Sequence, residues 1–253
     1  MNWLNSFWIA ISTYSILPAP HIEWQQDNMH LSICFLPGVG IFIAGALILW
    51  HYLCLTFMVE AALFAAGAAL LPLLLTGGIH MDGFMDTTDA LASHQSRERK
   101  LEIMKDSHIG AFAVMGCTAY LLLSFGLYTA LYNGASWGLI GISFILSRSL
   151  CALSIFTLPG ARNDGMLYTL TGQVKNYKAA TAMGLLSLFS AGAMLFIDFK
   201  IGIGAVLIAL AVFFGYRRLA KKNFGGVTGD TSGFFIQVCE LCLGLAIWIG
   251  GLL

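Results

Sequence analysis

The sequence predicts an all-α fold, a polytopic integral membrane helix bundle of about seven spans with a short N-terminal interfacial or re-entrant helix. Three observations predict it. Of 253 residues, 58% are hydrophobic and 10% charged, and the mean hydropathy is +0.80; soluble domains carry roughly 25% charged residues. Apolar runs of spanning length recur along the whole chain, enough for about seven crossings of ~20 residues with short connections. Lys and Arg gather in alternate connections, as membrane insertion requires. A single integral membrane domain over residues 1–253 is expected.

The elements follow in order. Trp3 to Leu17 is apolar, aromatic and short before Pro18 and Pro20, so it is expected to lie at the interface or enter partway. It is not read as a signal peptide, because no Lys or Arg precedes Trp3 and no small-residue cleavage site follows. Helices are expected at about 32–54, 58–77, 111–132, 136–158, 179–197, 201–216 and 234–253. Glycines inside these runs, such as Gly38, Gly40 and Gly45, suit close helix packing. Six cysteines lie in or beside apolar runs and read as small packing residues. Cys239 and Cys242 form a CxxC with no second pair or nearby His, so no metal or redox site is read there.

Eleven of the 13 basic residues fall in the connections 78–110, 159–178 and 217–233. The positive-inside rule puts these three at the cytoplasmic side of the inner membrane. Every polar motif is then on one face, which suits an enzyme at the bilayer surface better than a transporter with midplane sites between repeated halves. Net charge is zero, which gives no electrostatic reason to expect a nucleic-acid partner.

The richest stretch is Gly77-Gly78-Ile79-His80-Met81-Asp82-Gly83-Phe84-Met85-Asp86-Thr87-Thr88-Asp89. On a helix, positions i, i+4 and i+7 fall within about 60° of each other, so Asp82, Asp86 and Asp89 share one face. Like charges so close repel unless a cation sits among them. Oxygen-only ligands point to Mg²⁺ or Mn²⁺ rather than zinc. The plainer alternative is a solvated acidic helix start. His80, Asp86 and Asp89 are candidate general bases, and the sequence does not choose among them.

Residues 96–110, SRERKLEIMKDSHIG, read either as an amphipathic interfacial helix or as a phosphate clamp opposite the carboxylates. Arg148 falls inside a span and should face a cavity or a partner. Arg162 lies in Pro159-Gly160-Ala161-Arg162-Asn163-Asp164-Gly165. Either Arg can bind two phosphate oxygens at once or form a structural ion pair. Gly225-Gly226-Val227-Thr228-Gly229-Asp230-Thr231-Ser232-Gly233 precedes the last span. It could bring backbone N–H groups to an anion, and an ordinary flexible loop fits equally well. Metal and Arg together suit phosphoryl or nucleotidyl transfer at a membrane surface.

These blocks resemble the cobalamin synthase family, the adenosylcobinamide-GDP ribazoletransferases. The resemblance rests on GGIHMDGFMDTTDAL (77–91), RKLEIMKDSHIGAF (99–112), Arg148 with ARNDG (161–165), GGVTGD and the following TSG (225–233), and the early LPAP (17–20) and LPGVG (36–40). It implies transfer of the adenosylcobinamide-phosphoryl group of adenosylcobinamide-GDP to α-ribazole or its 5′-phosphate, releasing GMP, with Mg²⁺ as cofactor. On that reading Asp82, Asp86 and Asp89 hold metal, and His80, Asp86, Asp89 and Arg148 are the catalytic candidates. The substrate-binding candidates are Arg97, Lys105, Asp106, Ser107, Arg148, Arg162, Gly225, Gly226, Thr228, Gly229 and Asp230. Membrane lipid surrounds the protein, and a homo-oligomer is left open as a further partner. His108 stands where Arg is often expected, and Gln237 where an acid is. The rivals are a CDP-alcohol phosphotransferase of lipid synthesis and a cation transporter. The first has Ala-Arg after its Asp-Gly, which this chain lacks after Asp82-Gly83.

Overall fold

The computed structural model describes residues 3–22, 25–134, 137–171 and 176–253. Twelve α-helices form among them: α1 (Trp3–Tyr14), α2 (Gln26–Ser32), α3 (Leu36–Thr56), α4 (Ala61–Leu75), α5 (Ile79–Ala92), α6 (Arg97–Ile103), α7 (Ala111–Leu131), α8 (Trp137–Thr157), α9 (Gly165–Thr171), α10 (Tyr177–Ile197), α11 (Phe199–Phe224) and α12 (Gly229–Gly250). Six of the helices are long and apolar enough to cross a membrane. The bent pair α4 and α5 would bring the number to seven if it crosses as one unit. The protein is thus a multi-pass helical membrane protein, as its hydropathy predicts.

The spans differ in how much of each is enclosed. α8 is buried over 83% of its most apolar stretch, against 22–28% for α7, α10 and α11. α8 is therefore the axis, packed between α3 and α10, and the others face lipid. The N-terminal segment forms α1, of 12 residues. At 1.5 Å per residue it covers roughly 18 Å, less than the ~30 Å hydrocarbon core. It buries Ile9, Ala10 and Ile11 and is pinned where Ile16 N–H donates to Leu75 O at 2.9 Å.

The three long connections contain more helix than hydropathy alone shows. After α4 the chain turns on two left-handed glycines, Gly77 (φ +60°) and Gly78 (φ +79°). Gly78 N–H donates to Leu73 O at 2.9 Å and Gly77 N–H to Leu74 O at 3.1 Å, the paired bonds of a Schellman ending. α5 leaves at 91° to α4. It packs against α7 and α12. The Ser96 hydroxyl caps α6 by accepting from Arg99 N–H. α11 continues past residue 216 to Phe224, because Arg217, Arg218, Leu219, Ala220, Lys221 and Lys222 are good helix formers although they are too polar to count as span. It stops at Gly225, φ +84°. α12 starts five residues before the predicted 234, at a capping box of Thr228 and Thr231. Of the remaining expectations, position 136 lies outside the described residues.

Candidate active site

The connections between spans meet at one end of the bundle. α5 carries its acids there, and two glycines let it reach α12. A Cβ on Gly83 would stand 2.7 Å from Asp230 O, and one on Gly233 2.8 Å from His80 O. Both are closer than a side chain permits, so the backbones cross in contact. Phe84 stacks on Phe234 beside the crossing, ring centres 5.5 Å apart. This brings Asp82 and Asp86 of α5 to Asp230 in the first turn of α12.

Asp86 is half-buried between these acids. Burial pushes its carboxyl up to about 7, helped by the charges of Asp82, Asp230 and Asp89 and opposed by Arg162. Arg162 is the neighbouring cation. Its Nη2 donates to Asp230 Oδ2 at 2.5 Å, and its Nε lies 3.9 Å from Asp164 Oδ1. Asp164 in turn accepts from Lys105 Nζ at 2.5 Å, and that bond holds its carboxyl below the usual range. So Lys105, Asp164, Arg162 and Asp230 form one chain of alternating charge from the α6–α7 connection to α12. Asp164 was not among the expected site residues. Its alternation with Arg162 in the sequence was the available signal.

Two cavities open on this cluster. One of about 320 Å³ is lined by Gly160, Arg162, Asp164, Thr228, Gly229 and Asp230, among others. A second, of about 190 Å³, is lined by Tyr14, His80, Asp82, Gly229 and Asp230 with apolar neighbours. Met166 and Leu167 of α9 border both. His80 is buried and stacks on Tyr14, with ring centres 6.2 Å apart.

Other expected residues have different partners. Asp89 accepts from Gly110 N–H at 2.7 Å and Ala113 N–H at 2.9 Å. It therefore caps the start of α7, where the helix dipole favours an anion. A Cβ at Gly110 would lie 2.1 Å from that carboxylate, which explains the glycine. Arg148 is 1% exposed and ion-paired with Glu240. Glu240 also accepts from Ser147 Oγ at 3.1 Å, and Arg148 donates to Phe144 O at 3.1 Å. Arg148 is the structural ion pair that an intramembrane arginine requires, and it lines neither cavity. Arg97 is exposed and reaches Lys221 O at 3.4 Å. Asp106 accepts from His108 N–H at 3.0 Å, and Ser107 is exposed. None of these three lines either cavity.

The glycine-rich turn is largely engaged with the chain itself. Gly225 N–H donates to Lys221 O at 3.2 Å and Val227 N–H to Pro159 O at 2.9 Å, while Ala161 N–H returns to Val227 O at 2.9 Å. A Cβ on Gly226 would be 2.1 Å from Pro159 O. Thr228 N–H meets Thr231 Oγ1 at 2.9 Å. The turn thus ties the 159–165 connection to α12 and sets Arg162 against Asp230. The members that line the larger cavity are Val227, Thr228, Gly229 and Asp230.

Among the described residues, no three Asp, Glu, His or Cys side chains converge closely enough to hold a metal by themselves. Mg²⁺ is usually held by one or two carboxylates together with substrate phosphates and waters. Asp82 and Asp86, crowded by a third carboxylate, fit a cation that arrives with a phosphate ligand.

Residues 6–248 match the family described as Cobalamin-5-phosphate synthase. A relative from Lachnoclostridium phytofermentans, named adenosylcobinamide-GDP ribazoletransferase, is 39% identical over 249 residues, covering 98% of this chain and 95% of its own. Relatives of the same name from Desulfitobacterium hafniense and Escherichia coli K12 are 34% and 30% identical; each alignment covers 95% of this chain, and 95% and 98% of the relative. No solved structure matches. The match takes in every helix that builds the acid cluster and both cavities, and the chain belongs to the cobalamin-5-phosphate synthase family.

Proposed function

We propose that the chain transfers the adenosylcobinamide-phosphoryl group of adenosylcobinamide-GDP to α-ribazole or α-ribazole 5′-phosphate, releasing GMP, with Mg²⁺ bound and the acid cluster on the cytoplasmic face of the inner membrane. The observation that carries this reading is the meeting of Asp82, Asp86 and Asp230 with Arg162 beside a cavity, in a chain of this family. A ribose hydroxyl oxygen forms the new P–O bond, the P–O bond to GMP breaks, and the hydroxyl proton passes to water. Negative charge grows on GMP as its bond breaks, so fixed cations are needed beside it. Arg162 provides one, and Asp230 and Asp164 hold its planar fork in place. Lys105 in turn holds Asp164. Asp82 and Asp86 would hold Mg²⁺, whose chemistry is to neutralise the diphosphate when bound. Asp89 acts through α7, by fixing α5 to it.

The experiment measures GMP release by the purified protein in lipid nanodiscs with both substrates across a Mg²⁺ titration. Asp82→Asn and Asp86→Asn are expected to lose roughly 10²–10³ in rate, the usual cost of a charge-stabilising group. Asp89→Asn is expected to lower the melting temperature more than the rate. Absence of GMP from the wild type overturns the reaction, and an undiminished rate in EDTA overturns the metal.

A further inference from the structure

The smaller cavity has no part in the steps above. It holds about 190 Å³, below the roughly 300–1,000 Å³ of pockets for drug-sized ligands. A corrin ring or a nucleotide does not fit there, whereas one flat ring system does. Leu36, Ile155, Leu167 and Ile236 make much of its wall, and Asp82 and Asp230 connect it to the acid cluster. His80 also lines it. This residue is 5% exposed, and its Nε2 has no hydrogen-bond partner among the described residues. A buried polar group left unmet is costly to the fold. The Cys151 thiol and the Ser232 hydroxyl of the same wall are already engaged, with Ser232 O and Thr228 O. Tyr14 of α1, stacked on the His80 ring, fixes its plane. The fold therefore keeps a buried imidazole with an unmatched nitrogen in the wall of a space that opens on the reacting groups.

Resting on the transferase reading, we propose that this cavity seats the heteroaromatic base of the acceptor riboside. His80 Nε2–H donates to the ring nitrogen that does not carry the ribose, and the ribose hydroxyls are left at Asp82 and Asp230. The chemistry of the acceptor fits each feature. A benzimidazole-type base is flat and mostly apolar. Its ribosylated nitrogen has no free lone pair in the ring plane, and the other nitrogen is an acceptor. A purine with exocyclic polar groups would bring donors and acceptors that the aliphatic wall leaves unpaired. The donor's diphosphate keeps to the larger cavity by Arg162. His80 is thus a binding and specificity residue, and α1 is in the fold to close the pocket over it.

The test uses full-length protein in nanodiscs and reads KM for each substrate separately. Benzimidazole α-riboside is compared with indole α-riboside, in which carbon replaces the accepting nitrogen. In the wild type this exchange is expected to raise acceptor KM by about three- to tenfold, the worth of one hydrogen bond. In His80→Phe the exchange should make less than about a twofold difference, because the bond is already absent. Ile79→Trp, at a residue that lines the smaller cavity and not the larger, should raise acceptor KM by about tenfold or more while donor KM stays put. An indole penalty equal in wild type and His80→Phe overturns the proposal, as does Ile79→Trp raising donor KM instead. If Ile79→Trp does not fold, the wild type alone decides: adenine α-riboside accepted as well as benzimidazole α-riboside overturns the pocket. These outcomes need an active wild type, so they are distinct from failure of the transferase reading, in which no acceptor yields GMP and the pocket assignment falls with it.

Discussion

Asp86 carries a conflict that the folded chain imposes on it. Burial pushes its carboxyl up to about 7 from an ordinary 3.8, with Asp82, Asp230 and Asp89 as like charges acting the same way and Arg162 opposing. The folded form holds a proton that the unfolded form releases. Stability is therefore full below about pH 4 and falls as pH rises through 7. Asp86→Asn cannot lose that proton. In EDTA it should raise the melting temperature clearly at pH 8.5 and little at pH 4. An equal shift at both pH values would show that the fold does not raise the Asp86 carboxyl. The spacing of Asp82, Asp86 and Asp89 made their shared helix face legible from the sequence. The N–H groups that engage Asp89, at Gly110 and Ala113, lie more than twenty positions on, and helical periodicity carries no information about contacts so distant. The same is true of Arg148: its need for a partner was legible, but the choice of Glu240 was not.

At the scale of elements, the crossing of α5 over α12 decides whether the acids meet. Gly83 and Gly233 both stand where a Cβ would press on backbone, and backbone cannot swing aside as a side-chain tip can. Gly83→Ala should destabilise the protein by about 1–3 kcal/mol, as overpacking does, and should cut GMP release further by moving Asp82 and Asp86 away from Asp230. Gly184→Ala in α10 and Gly204→Ala in α11 have open space at the new methyl and should be neutral or slightly stabilising, since Ala is the better helix former. Thermal unfolding in detergent beside GMP release separates the two classes. If Gly83→Ala matches the two controls, the close crossing is not what positions the acids. Hydropathy located the spans well. It missed α9 and the 217–224 extension of α11, because it registers how apolar a segment is and not whether a polar segment is helical.

For the whole molecule, the prediction concerns orientation. The polar connections gather at one end, tied by Lys105 to Asp164 and by Lys100 to Asn223 at 2.7 Å. The other end is tied by Tyr132, whose hydroxyl donates to Val59 O at 2.8 Å. In a background with the native cysteines replaced, single cysteines at the exposed positions Gln95 and Lys222 should react with an impermeant thiol reagent only from the cytoplasmic side. One at exposed Asn133 should react only from the opposite side. The reverse pattern would refute the orientation inferred from Lys and Arg. Charge distribution made the common end of the motifs legible. How the connections interlock there depends on contacts between connections far apart in the chain.

The buried pair of Arg148 and Glu240 also bears on how the protein is made. The two residues are 92 positions apart. At synthesis rates of about 5–20 residues per second, roughly 5–18 s separate the emergence of one from that of the other. Through that interval the central helix carries an unmatched guanidinium, which costs about 2.5–3.5 kcal/mol in a lone inserted segment. The axis of the bundle is therefore only provisionally settled in the bilayer until the final helix arrives. A chain ending before residue 229 lacks more than its last span: its middle is left unfinished and exposed to the quality-control proteases of the membrane.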